Sequence, residues 1–196
     1  QINLQPADQK PVPALDEAQA KEYLRRFIEK YRAVISGDQR ASALSLKDLS
    51  LITFSGEGNL YRAVYRQMNY PYPIGNGYGE LRIVLSKAGA LLQLSSRIIP
   101  ALDYPARPKI EPATITGKLV GREFSYSNFA GQPMTYKVSQ AAEISVKELV
   151  IFPKIEEQKI KLHLVYPVEV GRGTTWTVYV DAVTGEEVET KQNFQT

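Results

Sequence analysis

Residues 149–189 decide the fold and read LVIFPKIEEQKIKLHLVYPVEVGRGTTWTVYVDAVTGEEVE. In the first long run every second side chain is apolar, which is typical of a strand with one face on a core and the other in water. The inward set is Ile160, Leu162, Leu164, Tyr166, Val168 and Val170, and the outward set is Lys161, His163 and Glu169. After the connection at 171–173, the inward pattern returns at Trp176, Val178 and Val180. The stretch predicts an antiparallel sheet with Trp176 in its core.

Composition excludes several classes of function. The chain has 196 residues, 43% of them hydrophobic, with a formal net charge of +3 and no cysteine. A charge this small, without a basic run, argues against nucleic-acid binding. The absence of cysteine removes thiol catalysis, disulfides and thiolate metal sites. The apolar runs are too short to predict a membrane span.

The first residue is Gln1 rather than methionine. We therefore expect that a leader has been removed, either a signal peptide or a lipoprotein leader. This predicts an extracytoplasmic location: secreted, periplasmic or lipoprotein-anchored.

A long helix is predicted after a polar lead-in. Asp16 can cap its first turn, and Gln19 completes a capping box. An apolar stripe then recurs at spacings of three and four, formed by Ala20, Leu24, Phe27, Ile28, Tyr31, Val34 and Ile35. Gly37 is suited to end the helix.

The remaining elements are predicted as strands. An antiparallel meander is expected over 49–54, 60–68, 80–86 and 91–99, and a hairpin over 118–126 and 133–138. Four prolines between 100 and 112 predict an extended linker. The predicted organisation is a flexible lead-in at 1–15, a helix with a meander at 16–99, a linker at 100–113 and a second antiparallel sheet at 114–196.

Motifs in the second half resemble a known family. LVIFP at 149–153, LHLVY at 162–166 and WTVYVDAVTGE at 176–186 resemble a PepSY module, and more narrowly the C-terminal part of thermolysin-type metalloprotease propeptides. In the first half, YRAVYRQ at 61–67 and GELRIVL at 79–85 are similar to the fungalysin/thermolysin propeptide (FTP) module. The resemblance implies a propeptide-like protein that binds or inhibits a peptidase.

The chain departs from that pattern in two ways. The His-Glu-x-x-His motif of the protease domain is absent, because the single histidine, His163, is followed by Leu164. The helix that begins a PepSY module is not predicted between Thr114 and Val146, where a hairpin is expected instead. Trp176, with the turn residues Asp181 and Gly185, is a folding signature that needs no ligand.

Candidate sites are few. His163 is predicted to be a surface side chain without a paired acid or nucleophile nearby in sequence. No catalytic residue, cofactor or metal is therefore predicted. Tyr70, Tyr72 and Tyr78 lie on a loop rich in proline and glycine, where they could anchor a protein partner or fold back over a sheet edge. An exposed strand edge could also accept a peptide.

The sequence as a whole predicts an α+β fold. One long N-terminal helix is expected to pack on an antiparallel sheet, followed by a second, PepSY-like antiparallel sheet. The predicted function is non-enzymatic binding of a protein or peptide outside the cytoplasm, with a peptidase among the candidate partners. The alternatives are a structural or assembly module of the cell envelope without a peptidase partner, and an enzyme with an unrecognised site.

Overall fold

The computed structural model describes residues 13–37, 44–100, 102–128, 130–172 and 176–193. The chain forms two compact units, the first from Gln1–Asn69 with Gly77–Ala101 and the second from Tyr70–Asn76 with Leu102–Thr196. The boundaries predicted at 15, 99 and 113 stay a prediction, and residues 1–12 of the expected lead-in lie outside the described part.

Helix α1 spans Glu17–Ser36 and begins as predicted. The Asp16 carboxylate accepts the N–H of Gln19 at 2.8 Å, and the Asp16 N–H donates to the Gln19 side chain at 3.0 Å. The predicted stripe is wrong near the end of the helix. Tyr31 departs from helical geometry (φ −109°, ψ 18°), and beyond this kink Val34 is 73% exposed while Ile35 is buried.

The first unit contains a four-stranded antiparallel meander, as predicted. Its strands are β1 (Leu49–Glu57), β2 (Leu60–Gln67), β3 (Glu80–Ser86) and β4 (Leu91–Ser96), in that spatial order. Alternate side chains of β2 and β3 form the core beneath α1, because period-two burial leaves one face dry. The buried cluster includes Leu24, Ile28, Ala63, Tyr65, Leu81 and Ile83.

The second unit is built mainly from strands. Its elements are α2 (Pro112–Leu119), β5 (Glu123–Ser127), β6 (Pro133–Lys137), β7 (Ile144–Val146), β8 (Val150–Glu156), β9 (Lys159–Val170), β10 (Trp176–Asp181) and β11 (Glu187–Gln192). One sheet has the order β11-β10-β9-β7, with β8 also paired to β9, and β5 and β6 form a separate hairpin.

Trp176 is 3% exposed, which confirms the predicted burial. Among the described residues, the rings of Phe124, Tyr136 and Tyr126 pack around it, at centroid distances of 4.9, 5.2 and 5.8 Å. The β5–β6 hairpin supplies all three rings and so packs on the inward face of β10. Offset and edge-on ring contacts of this kind stabilise a core beyond the area they bury.

The predicted fold class, α+β with one long helix and two sheets, is wrong. The described residues are 44% strand and form three sheets. In addition, 112–119 is a helix, although 100–113 was expected to be a linker and 118–126 a strand. Pro112 occupies the first turn, where its missing N–H costs nothing, and Ile115 and Leu119 bury one face. Among the described residues, neither α1 nor α2 combines the length and apolar composition that crossing a membrane requires.

Candidate functional site

The first sheet has two open edges. No described strand pairs with the outer side of β1 or of β4, so each presents unpaired backbone N–H and C=O groups. β1 is nine residues long and β4 six, and most side chains of both strands are exposed. β1 is therefore the longer template for pairing with another chain.

β1 lacks most of the features that protect natural edges. It contains no proline and no lysine, and its single charged residue, Glu57, is its last. A bulge interrupts its pairing between Leu51 and Thr53, and there Leu51 and Ile52 are 37% and 45% exposed. A bulge is one protective feature, but an exposed apolar pair beside it favours contact with another apolar surface.

The second half of β1 packs closely on the ring of Tyr61. A Cβ atom at Gly56 would lie 3.0 Å from the ring of Tyr61, so glycine is needed for the ring to approach. That ring stacks on Phe54 with centroids 5.3 Å apart, and the Tyr61 hydroxyl donates to the Leu15 carbonyl at 2.8 Å. The second half of β1 is thus packed on β2.

In the second unit, charged side chains lie along the edge strand β11. Arg122 forms an ion pair with Glu187, and the Lys154 ammonium donates to the Val188 carbonyl at 3.0 Å. Glu189 lies 3.4 Å from the Lys191 ammonium. Charges along an edge discourage strand addition, which distinguishes β11 from β1.

The chain itself covers part of the β8 edge. Ile74 forms a parallel bridge with Ile151, in which Gly75 donates to the Ile151 carbonyl and Ile151 donates to the Pro73 carbonyl, both at 2.8 Å. The Asn76 side chain extends this contact by donating to the Pro153 carbonyl at 3.0 Å. An extended segment without a strand partner of its own therefore already adds to a sheet in this protein.

The three predicted contact tyrosines are all half-buried. Tyr70 and Tyr72 belong to the second unit and Tyr78 to the first. The Tyr70 hydroxyl accepts the N–H of Leu102 at 3.2 Å, and its ring meets Tyr104 edge-on at 5.3 Å. Tyr70 is thus engaged within the chain, and the role of all three in partner contact stays a prediction.

His163 is not the surface side chain that was predicted. It lies on the face opposite the core, as expected, but its side chain is only 13% exposed. Its Nδ1 is 3.1 Å from Asp181 Oδ2, and its Nε2 is 3.3 Å from Glu156 Oε1. The contact between Nε2 and Glu156 is short enough for an ion pair, but its direction does not suit a hydrogen bond. Among the described residues, Nε2 has no hydrogen-bond partner.

Hydrogen bonds hold the two carboxylates near His163 in their charged form. Burial alone would raise the pKa of Asp181, but the N–H groups of Thr184 and Val183, with His163, hold that pKa below its usual value. Lys161, whose ammonium is 3.2 Å away, lowers the pKa of Glu156. The sequence missed this cluster because its members meet only through the pairing of β8, β9 and β10.

Within the described part of the chain, no hydroxyl is hydrogen-bonded to His163. The depression at this cluster, of about 390 Å³, is lined within the described residues by a single hydroxyl, that of Thr184, which accepts the N–H of Glu186 at 3.2 Å. An acid–histidine pair needs a nucleophile within reach before it can catalyse acyl transfer. The described residues also hold no group of three or more His, Cys, Asp or Glu side chains suited to a metal ion.

Comparison with known proteins gives little. No family model matches the chain, and no curated protein does. Among solved structures, the C-terminal domain of YpeB from Bacillus megaterium matches with 14% identity and a TM-score of 0.37. The match covers 91% of this chain and 65% of that chain, so this chain spans just under two thirds of the other's length. A TM-score this low does not establish a shared fold, and the resemblance to PepSY and FTP modules stays a prediction.

Proposed function

We propose that this chain is a non-enzymatic module that binds an extended segment of a partner protein along the outer side of β1. The observation that carries the proposal is the nine-residue edge strand, which has an exposed apolar pair, Leu51 and Ile52, and one terminal charge. Strand addition draws affinity from main-chain hydrogen bonds and specificity from alternate side chains. The Ile74–Ile151 bridge is a precedent for this kind of contact within the same chain.

Two features support binding rather than catalysis. The His163 cluster has carboxylates on both sides, and the Thr184 hydroxyl that lines its depression is not hydrogen-bonded to His163. The open edge of β1 by contrast needs only a second extended chain to complete its hydrogen bonds. An extracytoplasmic location, expected from the sequence, remains part of the proposal.

The partner class implied by the family resemblance is a peptidase. A propeptide-like role requires that this chain, in molar excess, slows hydrolysis of a peptide substrate by thermolysin. Unchanged hydrolysis at high excess would remove the peptidase from the proposal and leave binding of another protein.

The binding test uses a fluorescent nine-residue peptide of alternating valine and threonine. We expect this peptide to raise the anisotropy signal and to protect the amides of β1 from hydrogen exchange. Ile52→Lys should abolish binding, because a charge on the edge opposes strand addition. Leu92→Lys is the matched control, since Leu92 is a 57% exposed residue in the other edge strand. Protection along β4, or unchanged binding by Ile52→Lys, would contradict the proposal.

The same edge also supports the alternative of an assembly module, in which two copies pair through β1. Light scattering after size exclusion tests this alternative. A dimer that Ile52→Lys dissociates and Leu92→Lys leaves intact would favour assembly, and a monomer at every concentration would contradict it.

A further inference from the structure

We infer that the segment bound along β1 carries acidic residues at alternate positions, a specificity that rests on the proposed strand addition at this edge. Directly paired residues of an antiparallel sheet project from the same face. Ser55 pairs with Arg62, and Ser50 pairs with Arg66. The face of the first sheet opposite α1 therefore places small hydroxyl side chains on β1 and arginines on the strand behind it.

These arginines are available to a partner. Arg62 and Arg66 are both exposed, and within the described part of the chain neither forms an ion pair. A third arginine, Arg82, lies on the same face of β3 opposite Val64 and pairs with Glu80. Glu80 lies directly opposite Arg66 and is paired with Arg82. Glu57 lies on the same face of β1, and neither it nor Glu80 forms an ion pair with Arg62 or Arg66.

The geometry favours contact across the edge strand. A strand added to β1 would lie about 9–10 Å from β2, two strand spacings away. Long arginine and glutamate side chains together span that distance, and Ser50 and Ser55 are too short to obstruct them. Outward-facing positions of the added strand would therefore meet Arg62 and Arg66, while the remaining positions would extend the apolar row of Leu51 and Phe54.

Charge also favours a foreign segment over a second copy. Two copies paired antiparallel through β1 would form one continuous sheet, with the arginines of both copies on the same face. On this face, β1 of a second copy would offer hydroxyl side chains and a single carboxylate, that of Glu57. An acidic segment offers a carboxylate at every outward-facing position, and so complements the two arginines better. An acidic extended peptide is thus the occupant that fits the charge of this face.

The test uses three nine-residue peptides with valine at odd positions and glutamate, glutamine or lysine at even positions. At low salt we expect the glutamate peptide to bind roughly three- to tenfold more tightly than the glutamine peptide, and the lysine peptide to bind most weakly. Raising the salt to roughly 0.5 M should reduce the difference, because exposed charges are screened.

Substitutions of Arg62 and Arg66 test whether these arginines cause the preference for the glutamate peptide. Arg62→Gln with Arg66→Gln should remove the preference for glutamate while leaving glutamine-peptide binding unchanged, and lysine at both positions should restore it. Arg97→Gln is the matched control, because Arg97 is an exposed arginine beside the opposite edge strand. Circular dichroism of each variant verifies folding.

The outcomes separate this inference from the proposed function. Equal binding of the glutamate and glutamine peptides, lost in Ile52→Lys, would overturn the acidic specificity and retain strand addition. A glutamate preference that survives loss of both arginines would also overturn the specificity. Failure of all three peptides to bind would overturn strand addition itself and the specificity with it.

Discussion

The side-chain amide of Gln67 pairs with the backbone of Ile99 as one strand pairs with another. Its Nε2 donates to the Ile99 carbonyl at 2.9 Å, and its Oε1 accepts the Ile99 N–H at 3.1 Å. Gln67 is 3% exposed and Ile99 is fully buried. The amide therefore satisfies both polar groups of a backbone unit that has left the sheet, since β4 ends at Ser96.

Replacing Gln67 with leucine should destabilise the first unit strongly. The change leaves the buried N–H and C=O of Ile99 unpaired, and each such group costs about 1–3 kcal/mol. We expect the free energy of unfolding to fall by about 2–4 kcal/mol, measured by urea denaturation followed by circular dichroism. Gln93→Leu is the control, because that glutamine is exposed on β4 and should change stability by less than about 0.5 kcal/mol. A loss below about 1 kcal/mol for Gln67→Leu would show that water satisfies Ile99.

Removing the charge of Asp181 should destabilise the second unit in a pH-dependent manner. Its pKa lies below the ordinary value of 3.8, so the folded state favours the charged carboxylate. That stabilisation is fully present above the ordinary pKa and is lost as the pH falls through the lowered one. Asp181→Asn should therefore cost about 1–2 kcal/mol at pH 7.

The difference between Asp181→Asn and the unsubstituted chain should shrink below about pH 4, where the unfolded carboxyl is already protonated. Urea denaturation across the pH range measures this change. Asp103→Asn, at an exposed position, controls for the loss of one negative charge. A stability difference that stays constant down to about pH 2 would contradict the assigned role.

The turn between β8 and β9 should be improved by glycine. Glu157 and Gln158 adopt positive φ angles of 48° and 62°, a region that side chains disfavour. A two-residue hairpin with both φ angles positive prefers asparagine and glycine. We expect Gln158→Gly to raise stability by about 0.5–1 kcal/mol in thermal unfolding. Gln140→Gly is the control, since its φ of −153° gains nothing from glycine, and a decrease for Gln158→Gly would refute the argument.

Removing the Trp176 ring should cost more than any surface substitution. Trp176→Ala leaves a cavity among Phe124, Tyr126 and Tyr136, and large-to-small core changes of this size cost about 3–5 kcal/mol. Far-UV circular dichroism in urea measures the loss. Tyr23→Ala, at a 39% exposed aromatic position of α1, should change stability by less than about 1 kcal/mol. Comparable losses for the two variants would mean that the rings do not form a core.

Strands with one dry face could be predicted from the sequence. Tyr61, Ala63 and Tyr65 alternate with polar residues, and the structure buries all three. The capping pair Asp16 and Gln19 likewise located the start of α1. In each case a local pattern and the tertiary environment require the same conformation.

Helix α2 could not be predicted because its local and tertiary preferences disagree. Thr114, Ile115 and Thr116 are β-branched residues that favour strands, and Gly117 weakens a helix. Burial of Ile115 beside Leu119, one helical turn apart, overrides those preferences. The kink at Tyr31 similarly left no signal in the spacing of apolar residues.

The candidate edge and the His163 cluster depend on strand order rather than on any motif. No sequence pattern within β1 indicates that it is an edge strand. Asp181 is 18 residues from His163 in sequence, and they meet because β9 and β10 pair in one register. Such contacts follow from topology, which a single sequence does not fix.

The bridge between Ile74 and Ile151 has a consequence for dividing the gene. The second unit is discontinuous, so a truncated polypeptide starting at Leu102 would lack the segment 73–75 that covers part of the β8 edge. Such a fragment would expose unpaired backbone groups of β8 and is expected to oligomerise. A permuted polypeptide in which a linker joins 70–76 to 102–196 is the route to an isolated, monodisperse second unit.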